Sequence, residues 1–398
     1  MKVELGQNLS AEQAIKLAIF EAKKGQGFVA PNPVVGAVIL DQQGRLISFG
    51  HHARCGGDHA EVAALKKIPA KTRTEVLKGA QVFVTLEPCA HQGRTPSCAQ
   101  ELARWPIAKV VYGLEDPNPR VSGRGAEILR QAGVLCEPSE VLQEELEDLA
   151  EIFLTNMRQQ TCFVALKVAT SLDGHLAMRD GKSQWISNEK ARHSVQYLRG
   201  VYDAVLVGSG TFLVDQPRLN SRHPRFMQKT NHLVVLDPSG DTLPHFIESP
   251  AAQVRPLQQI TLVISRQQKE KWSGSQLGQR DQQLKELQER GVTLLFFDES
   301  SRGGQSSVDL AWLKKELFGM GLTSILVEGG AHTHSTFLQQ GAADRIYQFI
   351  APVFMGGSSA INWTQDLSIR DFDQRVKLSR VQFFRLGENA LVTGRLFR

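Results

Sequence analysis

The chain has 398 residues, 41% of them from the set AVILMFWYC and 22% charged, with a formal net charge of +5. That length predicts two or three domains, and the composition excludes a disordered chain or a coiled coil. So small a surplus of charge excludes the concentrated basic face that nucleic acid requires, and no apolar run reaches the roughly 18 residues of a membrane span.

The N-terminal Met1–Leu5 shows no hydrophobic leader, so a signal peptide is not expected. Ser10 and Gln13 form a capping-box pattern ahead of a helical stripe at Ala14, Ile15, Ala18, Ile19 and Ala22, and Gly25 is the expected stop. Residues 34–40 read as a buried strand, 41–44 as a turn and 45–49 as its partner strand. Alternation follows: helix 60–67, strand 81–86, helix 98–104, strand 109–114, helix 125–132. This predicts a layered α/β domain, closed by an acidic capping helix over 139–157. A second α/β series begins at 163–168, with further strands at 204–207, 232–236, 261–264, 292–296, 324–327 and 345–350. No internal repeat is visible, so two different domains are expected, residues 1–157 and 158–398. The Gln- and Lys-rich stretch 266–290 predicts an exposed helix.

Five cysteines in so long a chain fit a reducing compartment rather than a disulfide scaffold, which predicts a cytoplasmic protein. Two of them belong to a pattern. His59-Ala60-Glu61 opens a helix, Pro88-Cys89 follows a strand, and Cys98 comes nine residues after Cys89. One His and two Cys suit a catalytic zinc, because three protein ligands leave a fourth position open. Glu61 can face that position without ligating and move protons between water and a leaving amine. The order follows the zinc-deaminase signature H-x-E…P-C-x-x-C, with eight residues rather than two inside the cysteine pair.

The second half carries no G-x-G-x-x-G after its first strand, so an ordinary Rossmann fingerprint is not supported. Lys167 interrupts an apolar strand, which makes it an edge residue or a functional group. Ile325–Val327 leads through Glu328 into Gly329-Gly330 and a helix expected from about Ser335, a suitable start for binding phosphate.

The run Thr85–Cys98 (TLEPCAHQGRTPSC), with Pro31–Val38 (PNPVVGAV), His59–Val62, Asp116–Pro119 and Gly123–Gly125, resembles the deaminase half of the bifunctional riboflavin-biosynthesis deaminase/reductase family. The eight-residue gap is that family's. Leu166-Lys167, Ser171–Gly174, Ser183–Ser187, Val207-Gly208 with Gly210-Thr211, Asp215–Arg222 and Val327–Gly330 resemble its reductase half. The resemblance implies a cytidine-deaminase-like three-layer α/β domain followed by a dihydrofolate-reductase-like α/β domain. It implies Zn2+ on His59, Cys89 and Cys98 with Glu61 as the proton carrier. It places Asn32, His52, His91 and Arg94 at a phosphorylated pyrimidine. In the second half it places NADPH at Thr170, Trp185, Thr211, Asp215 and Gly330. The substrate is expected at Ser183, Arg199, Leu219, Arg222 and Glu328, with Lys167 beside the reacting sugar. Arg199 and Arg222 fit a phosphate clamp by residue type. Gln216 and Pro238 depart from the family pattern. A homodimer or homotetramer is implied, and neither a membrane nor a nucleic-acid partner is expected. Cys55, Cys136 and Cys162 match no ligand position.

Two other readings differ in what they require. A nucleoside or nucleic-acid deaminase with an unrelated second domain would need stacking aromatics near the zinc, and Phe83 is the single Phe, Trp or Tyr between residues 51 and 98. A non-catalytic zinc module would need a fourth ligand, for which Cys55 and His91 are the nearby candidates.

Overall fold

In the computed structural model, which describes residues 3–90, 97–118, 122–178, 186–272, 278–302, 305–356, 360–364, 367 and 369–396, the chain divides into two units, Met1–Thr161 and Cys162–Arg398. No helix among the described residues is long and apolar enough to cross a membrane.

The first unit starts with α1 (Ala11–Ala22), and its capping box is formed: Gln13 N–H donates to Ser10 Oγ at 3.2 Å and Ser10 N–H to Gln13 Oε1 at 2.8 Å. Five strands follow: β1 (Gly36–Leu40), β2 (Leu46–His51), β3 (Gln81–Leu86), β4 (Lys109–Leu114) and β5 (Leu135–Pro138). They lie in the order β2-β1-β3-β4-β5, with β1 antiparallel to both neighbours and β3, β4 and β5 parallel. Every residue of β1 is buried because both faces of the sheet are covered. Val38 and Leu40 join Ile15 and Ala18 of α1. Ala37 and Ile39 join Ala60, Ala64 and Leu65 of α2 (Ala60–Lys66), with Leu102 of α3 (Cys98–Ala103) and Leu129 of α4 (Arg124–Gln131) on the same face. This is a three-layer α/β unit.

Two local features depart from the sequence expectation. The acidic stretch is two helices, α5 (Gln143–Leu149) and α6 (Glu151–Gln159), broken at Ala150. The break lets Leu146 and Leu149 bury on the α1 side of the sheet without carrying the rest of the stretch with them. Strand β5 was not expected, because it is short, begins with an exposed Leu135 and ends in Pro138.

The second unit is built on nine strands: β6 (Phe163–Thr170), β7 (Ala204–Gly208), β8 (His232–Leu236), β9 (Ile260–Ser265), β10 (Thr293–Phe297), β11 (Ser324–Val327), β12 (Arg345–Ile350), β13 (Leu378–Leu386) and β14 (Asn389–Leu396). Their order is β10-β9-β8-β7-β11-β6-β12-β14-β13, parallel from β10 to β12 and then antiparallel through the terminal hairpin. Parallel strands need covered faces, which explains the near-continuous apolar runs of β7, β9 and β11. The helices include α7 (Glu189–Val201), α8 (Ser209–Asp215), α9 (Gly278–Glu289), α10 (Leu310–Gly319) and α11 (Ala331–Gln339). Helix α9 lies in the Gln-rich stretch and buries Leu284 and Leu287. Helix α11 starts four residues earlier than expected, immediately after the glycine pair.

Candidate active sites

In the first unit, β3 delivers Cys89, and helix starts deliver the other groups. His59 occupies the N-cap position of α2, and Glu61 lies in that helix's first turn. Cys98 opens α3, whose own start is fixed by a capping box between Ser97 and Gln100. The Cys98 N–H donates to Cys89 Sγ at 3.3 Å. His59 Nδ1 lies 3.3 Å from Cys98 Sγ and 3.6 Å from Cys89 Sγ, and all three donor atoms fall within 4.8 Å of one another. Neighbouring ligands of a tetrahedral zinc stand roughly 3.5 Å apart, so the donor set fits that ion as it stands. Among the described residues the group holds three donors; Cys55 is exposed and outside it.

The charges follow from the packing. The hydrogen bond with Cys98 holds the Cys89 thiol down at about 4, against its burial, while the same bond pushes Cys98 up. Glu61 is 3% exposed, and burial pushes its carboxyl up to about 7.

Two further side chains face this group. His52 is buried and packs edge-on against the His59 ring, with centroids 5.2 Å apart. Its Nδ1 lies 2.9 Å from Asp58 O, a carbonyl that can only accept, so the proton sits on Nδ1 and Nε2 accepts from Asn32 Nδ2 at 3.1 Å. Burial pushes His52 below its ordinary value. The adjacent His51 points elsewhere, its Nδ1 3.4 Å from Glu21 Oε2. His91 and Arg94, expected at the ring and the phosphate, lie outside the described residues, as do Ser183 and Trp185 of the second half.

Sequence reasoning missed Glu87. This carboxylate, 4% exposed, accepts from four backbone amides: Gly125 at 3.1 Å and Ala126 at 3.2 Å on Oε1, Gly123 at 3.0 Å and Asp116 at 3.4 Å on Oε2. It caps α4 from another element, since Gly123 at that helix's N-cap has no side chain to do so. Gly125 is required by proximity, because a Cβ there would meet Pro88 O at 1.8 Å. The signal was present in the run of glycines after Asp116 and the acid before Pro88, but their meeting is a long-range event.

In the second unit, two adjoining cavities of about 440 and 600 Å³ open at the C-terminal ends of β6, β7 and β11. Thr211, Asp215 and Gly330 line both. Strand β6 lies between β11 and β12, so Lys167 is on a central strand and is not an edge residue. Its Nζ is 3.3 Å from Glu328 Oε2. Arg199 grips the same carboxylate through Nε at 2.5 Å and Nη2 at 2.9 Å. Burial alone would raise the Glu328 pKa; Arg199 and then Lys167 bring it down to about 2. This bidentate pairing revises the reading of Arg199 as half of a phosphate clamp, since two of its nitrogens are already committed. Arg222 and Arg218 line the larger cavity with Lys167 and Glu328.

The smaller cavity opens at the start of a helix. Helix α11 begins with no side-chain cap at Gly330, whose N–H donates to Thr211 Oγ1 at 2.8 Å. A Cβ at Gly329 would meet Gly208 N at 2.7 Å, so the glycines keep open a close approach of backbone to backbone. Burial raises the Asp215 pKa. Two expected contacts line neither cavity: Thr170 is fully buried with its hydroxyl 3.3 Å from Gln348 Nε2, and the Leu219 side chain is buried at a backbone φ of +56°.

The fold and the two sites define a zinc-dependent pyrimidine deaminase joined to a nicotinamide-dependent reductase, and comparison with known proteins agrees. Residues 9–114 match the family model for the cytidine and deoxycytidylate deaminase zinc-binding region, and residues 162–392 match that of the RibD C-terminal domain. The riboflavin biosynthesis protein RibD of Aquifex aeolicus is 36% identical over 380 residues, covering 95% of this chain and 96% of its own. That of Escherichia coli is 35% identical, covering 87% and 88%. Among solved structures, Acinetobacter baumannii RibD superposes with a TM-score of 0.79 at 31% identity, covering 98% and 99% of the two chains. A deaminase/reductase from Thermotoga maritima gives 0.76 at 33%, covering 97% and 99%. The chain belongs to the RibD family of riboflavin biosynthesis proteins. It is a bifunctional deaminase and reductase that uses zinc and NADPH.

Proposed function

We propose that the first unit hydrolyses the 2-amino group of 2,5-diamino-6-(5-phosphoribosylamino)pyrimidin-4-one, and that the second reduces the ribosyl group of the resulting 5-amino-6-(5-phosphoribosylamino)uracil to ribityl. The observation that carries this is the occurrence in one chain of a three-donor His/Cys/Cys group beside a buried Glu61 and of a Lys167–Glu328–Arg199 cluster lining the larger of two adjoining cavities.

Zinc held by His59, Cys89 and Cys98 supplies a Lewis acid that makes water a stronger acid. Glu61 accepts the proton from the attacking water and hands it to the departing nitrogen, so a C–O bond forms, a C–N bond breaks and ammonia leaves. Neutral His52, fixed by Asp58 O, orients Asn32 against the pyrimidine.

Thr211, Asp215 and the start of α11 would hold NADPH, which would supply a hydride. The Lys167 ammonium, held by Glu328, gives a proton to the sugar's ring oxygen as the C1–O bond opens. Arg222 and Arg218 meet the 5-phosphate. The chain's free cysteines suit a cytoplasmic setting. The edge strand β13, with Phe383 75% exposed, supports association of identical subunits.

Glu61→Gln and Lys167→Ala test the division of labour. The first should lose ammonia release from the diaminopyrimidinone yet still oxidise NADPH with the aminouracil. The second should release ammonia and fail to oxidise NADPH. If either substitution alone, in folded protein, abolishes both reactions on their own substrates, the division fails.

A further inference from the structure

The segment from Gln216 to Arg222 is an improbable piece of backbone. Gln216 has φ +41° and Leu219 φ +56°, both in the left-handed region that side chains other than glycine avoid. It nonetheless carries Arg218 and Arg222 to the larger cavity. Three side chains from three places in the chain grip its consecutive carbonyls. Arg255 Nη2 donates to Arg218 O at 2.8 Å, Asn231 Nδ2 to Leu219 O at 3.0 Å, and Arg199 Nη1 to Asn220 O at 3.5 Å.

Arg255 is the unexpected member. It is 6% exposed, and its Nε and Nη1 have no hydrogen-bond partner among the described residues. Burial pushes its guanidinium down to about 10, with Arg199 adding repulsion of like charge. A buried cation with no carboxylate partner among the described residues is costly, and the one hydrogen bond it makes among them goes to the loop. Asn231 is 1% exposed and spends its amide nitrogen on the next carbonyl. Neither residue lines either of the two adjoining cavities.

We infer that Arg255 and Asn231 are positioning residues of the reductase, which hold the carbonyls of Arg218 and Leu219 so that Arg218 and Arg222 face the substrate's phosphate. Arg199 completes the row and ties the loop to Glu328, and through it to Lys167. The phosphate part rests on the reading of Arg218 and Arg222 given above. Arg255 and Asn231 act on substrate binding and leave hydride transfer alone.

The test is steady-state reductase kinetics of the full chain with the aminouracil substrate, with and without its 5-phosphate. Arg255→Met replaces the buried cation by an apolar side chain of comparable length, so the fold is kept. It should raise KM for the phosphorylated substrate roughly tenfold, the loss of one charged hydrogen bond. The values of kcat and of KM for NADPH should stay at wild type, and KM for the dephosphorylated substrate should not change. Arg255→Lys, which can still reach one carbonyl, should recover part of the loss. Asn231→Ala should repeat the pattern from the neighbouring position. An unchanged KM in folded Arg255→Met and Asn231→Ala overturns the role. So does a rise in KM for both substrates and for NADPH together with a lower melting temperature, which is general damage. A rise equal with and without phosphate, at unchanged KM for NADPH, keeps the positioning role and removes the phosphate reading.

Discussion

The Glu87 carboxylate accepts the backbone N–H of Gly125 at 3.1 Å, thirty-eight residues away in sequence, and so joins the strand end that carries Cys89 to the start of another helix. Three more amides converge on the same two oxygens.

That convergence makes Glu87→Gln a structural lesion at the zinc site. The amide keeps one acceptor oxygen and turns an NH2 toward backbone donors. The first unit should lose about 3 kcal/mol of stability, as expected for buried amides left unsatisfied. Thermal unfolding and zinc content should both report the loss, while aminouracil reduction keeps its wild-type kcat.

Zinc removal separates the two chemistries in a second way. Treatment with a strong chelator should abolish ammonia release and leave NADPH oxidation with the aminouracil intact. Added Zn2+ should restore the first activity. His59→Ala should behave like the chelated protein, because a Cys pair alone lacks the third donor.

Glu328 gives the second unit an acid sensitivity whose sign can be worked out. Its ordinary value is 4.5 and its value in the fold is about 2. A lowered carboxylate stabilises the fold fully above pH 4.5, and the contribution is lost as pH falls through about 2. Glu328→Gln leaves Arg199 buried without its partner, at a cost of about 3–5 kcal/mol. Urea unfolding at pH 7 and pH 3 should show a large gap between wild type and variant at pH 7 and a smaller one at pH 3.

At the cofactor cradle, Gly329→Ala places a methyl 2.7 Å from Gly208 N, so β7 and the start of α11 must part. Overpacking of this kind costs about 1–3 kcal/mol, and if the bound state bears it the rise in KM for NADPH is roughly 5- to 150-fold. Ammonia release should be unaffected.

Much of this was legible in the chain itself, and the gaps have physical causes. His59, Glu61, Cys89 and Cys98 stood out because two helix starts and one strand end bring all four together, and local pattern marks such ends. Strands β7, β8, β9 and β11 were readable as apolar runs because a parallel sheet buries both faces. The hairpin of β13 and β14 was not: Val381, Phe383 and Phe384 are exposed at a sheet edge, so alternation of burial does not show there. Arg199 looked like a phosphate ligand by residue type, and its pairing with Glu328, 129 residues on, is a tertiary fact. Leu219 was expected at the substrate, but a left-handed backbone turns its side chain inward and leaves its carbonyl to Asn231.

The central claim is that one chain performs both steps in sequence, and one measurement tests it most directly. The purified zinc-loaded protein is given the diaminopyrimidinone phosphate and excess NADPH, and ammonia and NADPH are followed in the same cuvette. The account predicts one NADPH oxidised for each ammonia released, with ammonia appearing first. Ammonia release without NADPH consumption, or NADPH consumption that precedes ammonia, would contradict it.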